Sequence, residues 1–516
     1  MSKVTTAAQA VGRIRDGQTV GCTGVIGWIT PDALLRALGE RHAATSAPHG
    51  LTFFFTCATG DALGIPGMDH VARAGLMKRI VSGSYVNPRD PATGERPALT
   101  GLIRADRIEA YNWPIGAAMH WLREVARKGP GHLTRIGLGT HADPRHGGGR
   151  LTDRARDDLV ELVEFQGQEY LYYPTWNLDV GLIRATSADE DGNLSFEGQP
   201  LLSSCLALAL AVKSCGGRVI AQVDRVVPRG SRAAGEVRIP APLVDDVVVA
   251  EGEPVGTGVG RDPGYLRPVA DPAALVPRLP SGIDKVVARR TAAELREGET
   301  AIFGFGNSSD AVLALAEDVP DAADRFLFTT EHGSFGGLVM GGWRFSANYG
   351  PTALLDGPAQ FDFIDAGLCR FAALAFAQFD AEGRVNVTRF GEANPGAGGF
   401  PHIADRARRL VFAGTFSTGG LKAECGGGAL RIVREGDIAK FVSAVDHTTY
   451  HAGEGVRRGQ EARVVTERAV FDLTRDGLVL VETAPGVDVR ADILGRMPFP
   501  VAVARDVAPM DPALFR

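Results

Sequence analysis

Two stretches of this 516-residue chain carry the same local signals in the same order, and any fold must house both copies. Residues 8–38 include A-V-G-R-I-R-D-G-Q-T-V-G-C-T-G-V-I-G-W-I-T-P-D-A-L-L-R-A-L, and residues 288–315 include R-R-T-A-A-E-L-R-E-G-E-T-A-I-F-G-F-G-N-S-S-D-A-V-L-A-L. Each reads as a helix, a D/E-G turn, a strand, a glycine loop and a helix opened by Asp. A second echo pairs D-V-G-L-I-R-A-T-S-A-D-E-D-G-N-L-S-F-E-G (179–198) with D-A-G-L-C-R-F-A-A-L-A-F-A-Q-F-D-A-E-G-R-V-N-V-T-R-F-G (365–391). There a strand is followed by a D-x-x-G turn and a second strand. Two matched pairs predict a tandem repeat of about 250 residues, with a ligand site between similar halves.

Residues 251–284 lose all periodicity and fill with Gly and Pro, so the linker is placed there, between halves 1–250 and 285–516. Within the halves, short apolar runs (51–55, 180–184, 218–223, 301–303, 410–412) alternate with helical patterns. The pattern over 7–15 predicts a helix. Leu34, Leu35 and Leu38 line another, opened by Pro31 and Asp32, and 201–213 reads as a helix apolar nearly all round. The fold class expected is α/β, two similar tandem domains with mostly parallel sheets.

Composition excludes several functions. A net charge of −6 without a long Lys/Arg run argues against nucleic acid as a partner. The N-terminus has no apolar signal core, and the most apolar helix candidate is too short to span a bilayer, so no membrane role is expected. The cysteines (22, 57, 205, 215, 369, 425) form no C-x-x-C pair, which suits reduced thiols in a cytoplasm and gives no support to a zinc site or a disulfide framework. Neither G-x-S-x-G nor H-E-x-x-H is present, which weakens serine hydrolase and zinc protease readings.

The chemistry concentrates at 325–337, R-F-L-F-T-T-E-H-G-S-F-G-G. An apolar run delivers one carboxylate, Glu331, followed by Gly333, Gly336 and Gly337, whose backbone can approach a ligand closely. A carboxylate at a strand's end beside such a turn is a candidate nucleophile with an oxyanion site; the alternative is a solvated surface Glu. His332 follows, and neighbours on extended chain point to opposite faces, so the two need not meet, and His332 is read as packing or as a residue supporting the site from behind. Gly304, Phe305, Gly306 and Asn307 lie between a strand and a helix opened by Asp310. That arrangement is an anion site, although it lacks the third glycine of a dinucleotide fingerprint, and Ser308 or Ser309 also suits an N-cap. Residues 394–400, N-P-G-A-G-G-F, form a loop too glycine-dense for a plain turn, and 414–420, G-T-F-S-T-G-G, form another.

These residues carry a resemblance. T-T-E-H-G-S-F-G-G, Q-F-D-F-I-D-A-G, G-R-V-N-V-T-R-F-G, P-G-A-G-G-F and F-A-G-T-F-S-T-G-G-L resemble family I CoA-transferases of the fused single-chain acetate/propionate (short-chain acyl-CoA) type. In the N-terminal half A-Y-N-W-P-I-G, G-L-G-T-H-A-D-P-R-H-G-G-G and T-S-A-D-E-D-G-N-L-S-F extend it, as does G-L-V-L-V-E-T-A-P-G-V-D-V-R-A-D-I-L in the tail, so the likeness runs nearly the whole chain. It implies that Glu331 forms a γ-glutamyl-CoA thioester. It also implies that Gly304, Phe305, Gly306 and Asn307, with Gly396, Ala397, Gly398, Gly399 and Phe400, hold coenzyme A, and that Gly24, Val25, Gly27 and Trp28 belong to the acyl pocket. CoA would be a substrate, with no permanently bound cofactor and no metal. The expected partners are acyl-CoA and carboxylate small molecules, and the protein is expected to be a cytoplasmic homo-oligomer. The chain departs from the family at C-T-G-V-I-G-W, where a Gly-Gly-Phe-rich loop is usual, and at D-A-G-L, where D-G-G-G is usual. An acyl-CoA hydrolase using the same Glu and a non-catalytic acyl-CoA sensor are the alternatives.

Overall fold

Runs rich in Val, Ile and Phe form strands covered on both faces, as a parallel sheet flanked by helices requires. The computed structural model describes residues 3–86, 93–319 and 321–516, and the chain divides into two compact units. The first comprises Met1–Leu266, Leu354–Phe361 and Gly391–Gly399; the second comprises Arg267–Ala353, Asp362–Phe390 and Phe400–Arg516.

The first unit is built on eight strands: β1 (Val4–Thr5), β2 (Thr19–Cys22), β3 (Leu51–Phe55), β4 (Met77–Ser82), β5 (Glu109–Asn112), β6 (Val180–Arg184), β7 (Arg218–Val223) and β8 (Asp246–Val249). Their order is β1-β8-β7-β6-β2-β3-β4-β5, and each neighbouring pair is parallel. Helices α1 (Ala7–Val11), α2 (Asp32–Thr45), α3 (Ile115–Ala126) and α4 (Cys205–Ser214) accompany it. Leu34, Leu35 and Leu38 of α2 share one core with Val20, Phe53, Phe55, Val180 and Ile220. Phe54, one residue out of phase, packs its ring 4.7 Å from Trp121, which lies 4.3 Å from Trp176. Two helices are shorter than their patterns predict. The first ends at Val11, and α4 begins only at Cys205, because buried Ser203 holds φ +47°.

The second unit contains α5 (Ile283–Ala292), β9 (Thr300–Phe303), α6 (Asp310–Asp318), β10 (Leu327–Thr329), β11 (Ser334–Phe335), β12 (Phe371–Ala375), α7 (Phe400–Arg406), β13 (Arg409–Ala413), β14 (Glu461–Val465), β15 (Ala469–Thr474), β16 (Gly477–Thr483) and β17 (Ala502–Pro509). Its strands run β11-β10-β9-β12-β13-β14-β15-β16-β17; β10, β9, β12, β13 and β14 are mutually parallel and the rest make the sheet mixed.

The sequence repeat is a structural repeat. Strand β2 pairs with β3 on one side and β6 on the other, and its counterpart β9 pairs likewise with β10 and β12. The next neighbours, β7 then β8 and β13 then β14, follow in the same order. Even the D-x-x-G turns agree: Asp189 Oδ1 accepts from the amides of Asp191 and Asn193, and Asp380 Oδ1 from those of Glu382 and Arg384. The fold is therefore α/β with two similar domains.

Part of the Gly/Pro-rich stretch is held on the first unit. Buried Arg184 donates to the carbonyls of Glu253 and Pro254, and Trp28 packs its ring 5.1 Å from Tyr265. No helix among the described residues is long and apolar enough to cross a membrane. Beyond Leu266 the chain is irregular and mostly exposed up to α5, so trypsin is expected to cut first after exposed Arg278. N-terminal sequencing of the early fragments checks this, and first cuts within β2–β8 or β9–β14 would contradict the boundary.

Candidate active site

Parallel strands deliver their following loops to one edge of a sheet, and ligands of open α/β sheets bind at that carboxyl edge. In the second unit, β10 ends at Thr329 and the chain turns through Thr330, Glu331 and His332 before returning as β11. The turn is over-determined. Gly333 N–H donates to Thr330 O, Thr329 Oγ1 donates to Ser334 O, and Thr330 Oγ1 donates to Ser346 O. Asn348, fully buried, donates from Nδ2 to Gly336 O at 2.7 Å. Gly337 holds φ +60°, and a Cβ there would lie 2.1 Å from Tyr349 O, so no other residue fits without displacing backbone. Glu331 presents a side chain 13% exposed, accessible but fixed.

His332 fits its reading as a packing or supporting residue. Its ring is buried with Nε2 3.5 Å from Glu331 Oε1. Residues 331 and 332 lie in a turn rather than in extended chain, so the opposite-face rule does not apply and the two side chains meet.

The loop of Gly304, Phe305, Gly306 and Asn307 leaves β9, the strand beside β10, and so shares an edge with Glu331. Neither serine after it caps α6: Ser308 Oγ donates back to Gly304 O and Ser309 Oγ to Gly306 O. Asn307 Nδ2 donates to Asp284 Oδ1 at 2.6 Å. Burial, then the charge of Asp284, pushes the Asp310 carboxyl up to about 6. Phe305 is half exposed, its ring 5.6 Å from Phe345.

The other candidates gather at the carboxyl edge of the first unit's sheet. After β2, Val25 and Trp28 exchange backbone hydrogen bonds across a tight turn, and Ile26 N–H donates to Ala58 O beyond β3. A Cβ on Gly24 would meet Thr59 at 2.3 Å, and one on Gly27 would meet Thr257 Oγ1 at 2.2 Å. Trp28 is fully buried between Gly256 and Tyr265. It forms part of the wall of a cavity of about 190 Å³ with Val255, Val259 and Leu266. Gly396, Ala397, Gly398 and Gly399, though late in the chain, also belong to this unit, whereas Phe400 opens α7 in the second. Ala397 N–H donates to Asn112 Oδ1 at 2.8 Å, Gly398 N–H to Gly83 O, and Ile115 N–H to Gly398 O.

Sequence reading missed Asn112 and His141 as parts of the site. Asn112 ends β5, is fully buried, and donates from Nδ2 to Ser82 O and Gly83 O while its Oδ1 takes Ala397 and lies 3.0 Å from His141 Nε2. Both sit in motifs that carried the family likeness without an assigned role. Among the described residues no group of three or more His, Cys, Asp or Glu side chains is arranged to hold a metal ion. Asn112→Ala strips partners from a set of buried polar groups, each costing about 1–3 kcal/mol when left unpaired. We expect a lower unfolding midpoint and faster hydrogen exchange at Ala397 and Gly398, with exchange in β9–β14 unchanged; a wild-type midpoint would refute the hub.

Residues 4–250 match the family described as Coenzyme A transferase. The chain is 36% identical over 520 residues to the acetate CoA-transferase YdiF of Escherichia coli K12, covering 99% of this chain and 95% of that protein. It is 35% identical over 525 residues to the caffeate CoA-transferase of Acetobacterium woodii, covering 100% and 98%. The fold matches the crystal structure of the YdiF acyl-CoA transferase apoenzyme from Escherichia coli O157:H7 with a TM-score of 0.90 and 34% identity, over 100% of this chain and 96% of that one. The thioester complex of YdiF with CoA matches with a TM-score of 0.89, at the same identity and coverage.

Proposed function

This chain belongs to the coenzyme A transferase family, and on that premise we propose that Glu331 is the nucleophile that moves CoA from a short-chain acyl-CoA to a carboxylate acceptor such as acetate. CoA transfer is the family's reaction; the residues and the substrates are our reading. The observation that carries it is a fixed, partly exposed carboxylate in the turn after a parallel strand, next to a glycine loop on the adjacent strand.

The chemistry follows from the carboxylate. Glutamate is ionised at neutral pH and attacks without a general base. One Glu331 oxygen bonds to the thioester carbonyl carbon, and collapse of the tetrahedral oxyanion breaks the C–S bond and expels CoA thiolate, leaving a mixed anhydride. The thiolate then attacks the glutamyl carbonyl, the donor acid departs as its carboxylate, and γ-glutamyl-CoA remains. The acceptor carboxylate runs these steps in reverse and regenerates Glu331. Each oxyanion needs N–H donors, worth about 3–4 kcal/mol apiece; glycine-loop amides supply them in this reading. His332, 3.5 Å from the carboxylate, holds its orientation. Gly304, Phe305, Gly306 and Asn307 and residues 396–400 hold CoA. The reading includes a cytoplasmic homo-oligomer, supported by the scattered free thiols and the family resemblance.

With acyl-CoA and no acceptor, the glutamyl thioester should accumulate, and borohydride should inactivate the enzyme only then. Peptide mapping should place the reduced residue at Glu331. Glu331→Gln should lower kcat by at least a thousandfold with an unchanged melting temperature. An adduct elsewhere, or transfer by the Gln variant, refutes the assignment.

Gly24, Val25, Gly27 and Trp28 form the acyl side of the reading. The relatives named for acetate and for caffeate differ widely in acyl size, and in this reading the Trp28 pocket is what selects the acyl group. Trp28→Ala should shift kcat/KM at least tenfold toward longer acyl-CoAs in a chain-length series. A flat profile with lost stability would make Trp28 packing alone.

A further inference from the structure

Trp28 owes its position to a segment that the reaction above does not use. Residues 253–266, part of the Gly/Pro-rich stretch after β8, lie against the loop that follows β2, and two glycines let them do so. A Cβ on Gly256 would stand 2.5 Å from Trp28 Cε3 and Cζ3, and one on Gly27 would stand 2.2 Å from Thr257 Oγ1 and 2.7 Å from Thr257 N. Neither glycine holds a positive φ, so the backbone alone would admit alanine at both. Each is a glycine because the other segment passes too close for a side chain. Buried Arg184 ties the two segments together. It donates to Thr30 O at 3.2 Å on one side, and to Pro254 O at 2.7 Å and Glu253 O at 3.3 Å on the other. Ion pairs Arg36–Glu253 and Arg261–Asp224 add further anchors.

The loop after β2 has little freedom of its own. Ile26 and Ile29, both buried and β-branched, hold φ +53° and +50°, a region such residues rarely adopt. Ile26 N–H donates to Ala58 O, and Ile26 O accepts from Gly60 N–H and from Thr30 Oγ1. Strain of this kind persists only where the surroundings over-determine the backbone. With the backbone fixed, the indole is placed by what packs on it: the chain at Gly256 and the Tyr265 ring, 5.1 Å away. The cavity of about 190 Å³ adjoins the indole, walled by Val255, Val259 and Leu266 of the same segment. An apolar cavity of about 150 Å³ accepts a benzene ring, so this one has room for the six-membered ring of a displaced indole.

We propose that segment 253–266 sets the acyl-chain limit of the enzyme by keeping Trp28 out of this cavity, with Gly256 and Tyr265 as positioning residues that touch the indole and not the substrate. This rests on the reading of Trp28 as a wall of the acyl pocket. The effect is steric, and no bond is made or broken. A Cβ at position 256 takes the place of the indole edge and drives the ring into the cavity. A smaller side chain at 265 lets the ring retreat the same way. Both widen the acyl side.

The test measures kcat/KM for acetyl-, butyryl- and hexanoyl-CoA with propionate as the fixed acceptor. Gly256→Ala and Tyr265→Leu should each raise the hexanoyl-to-acetyl ratio at least fivefold. Val259→Phe fills the cavity, so it should leave the ratio within twofold alone and cancel the gain in either double variant. A merely structural role would lower the melting temperature or slow all three esters alike. Should Gly256→Ala fail to fold, Tyr265→Leu with and without Val259→Phe carries the same test. Unchanged ratios in folded Gly256→Ala and Tyr265→Leu, while Trp28→Ala shifts its own, overturn the proposal and leave the acyl-pocket reading standing. A gain that survives Val259→Phe overturns it too, because the cavity then plays no part. A flat Trp28→Ala profile overturns the acyl-pocket reading and the proposal with it. Failure of the CoA-transfer reading shows separately, as wild-type protein that forms no glutamyl adduct.

Discussion

The parallel register of Ile302 opposite Thr329, on adjoining strands β9 and β10, is the constraint on which the proposed chemistry depends. It aligns two strand ends so that the turn bearing Glu331 and the glycine loop at 304–307 emerge from the same edge. A slip of one residue would turn every side chain of β10 to the other face of the sheet. The pairing is secured from below by apolar burial, with Phe303 and Phe328 both fully buried and their rings 5.8 Å apart. From above, Asn348 ties the returning β11 hairpin through its side-chain amide. Core packing and the orientation of the carboxylate are thus one problem for this part of the chain.

The strands and their repetition were largely legible because the sequence states them twice. Thr19–Cys22 and Thr300–Phe303 are short apolar runs after a D/E-G turn, and the structure gives both the same neighbours. Helix ends were less legible. The apolar periodicity around 201–213 extends past the point where Ser203 adopts a left-handed conformation, and nothing in a polar residue's identity announces that. Capping failed in a similar way. Ser308 and Ser309 are good cap residues by type, yet their hydroxyls turn back to carbonyls of the preceding loop.

What sequence reasoning misjudged at the site depends on contacts distant in the chain or on local turn geometry. Asn112 and Ala397 are 285 positions apart, and only the fold brings them within 2.8 Å. The motif A-Y-N-W-P-I-G marked the place, and an Asn at a strand end whose amide satisfies three backbone groups is a recognisable device only once those groups are known. His332 is buried, as a packing role requires, and it meets Glu331 because the two lie in a turn rather than in extended chain.

The first unit is closed by residues from far down the chain. Gly391–Gly399 and Leu354–Phe361 belong to it, although its eight-stranded sheet is complete by Val249. During synthesis, at about 5–20 residues per second, the ends of β4 and β5 therefore wait on the order of ten seconds or more for the amides of Ala397 and Gly398 to leave the ribosome. Through that interval Asn112 keeps its Oδ1 without the Ala397 donor. The N-terminal unit therefore cannot be finished until most of the C-terminal one has been translated, and truncation anywhere before residue 399 removes structure from both.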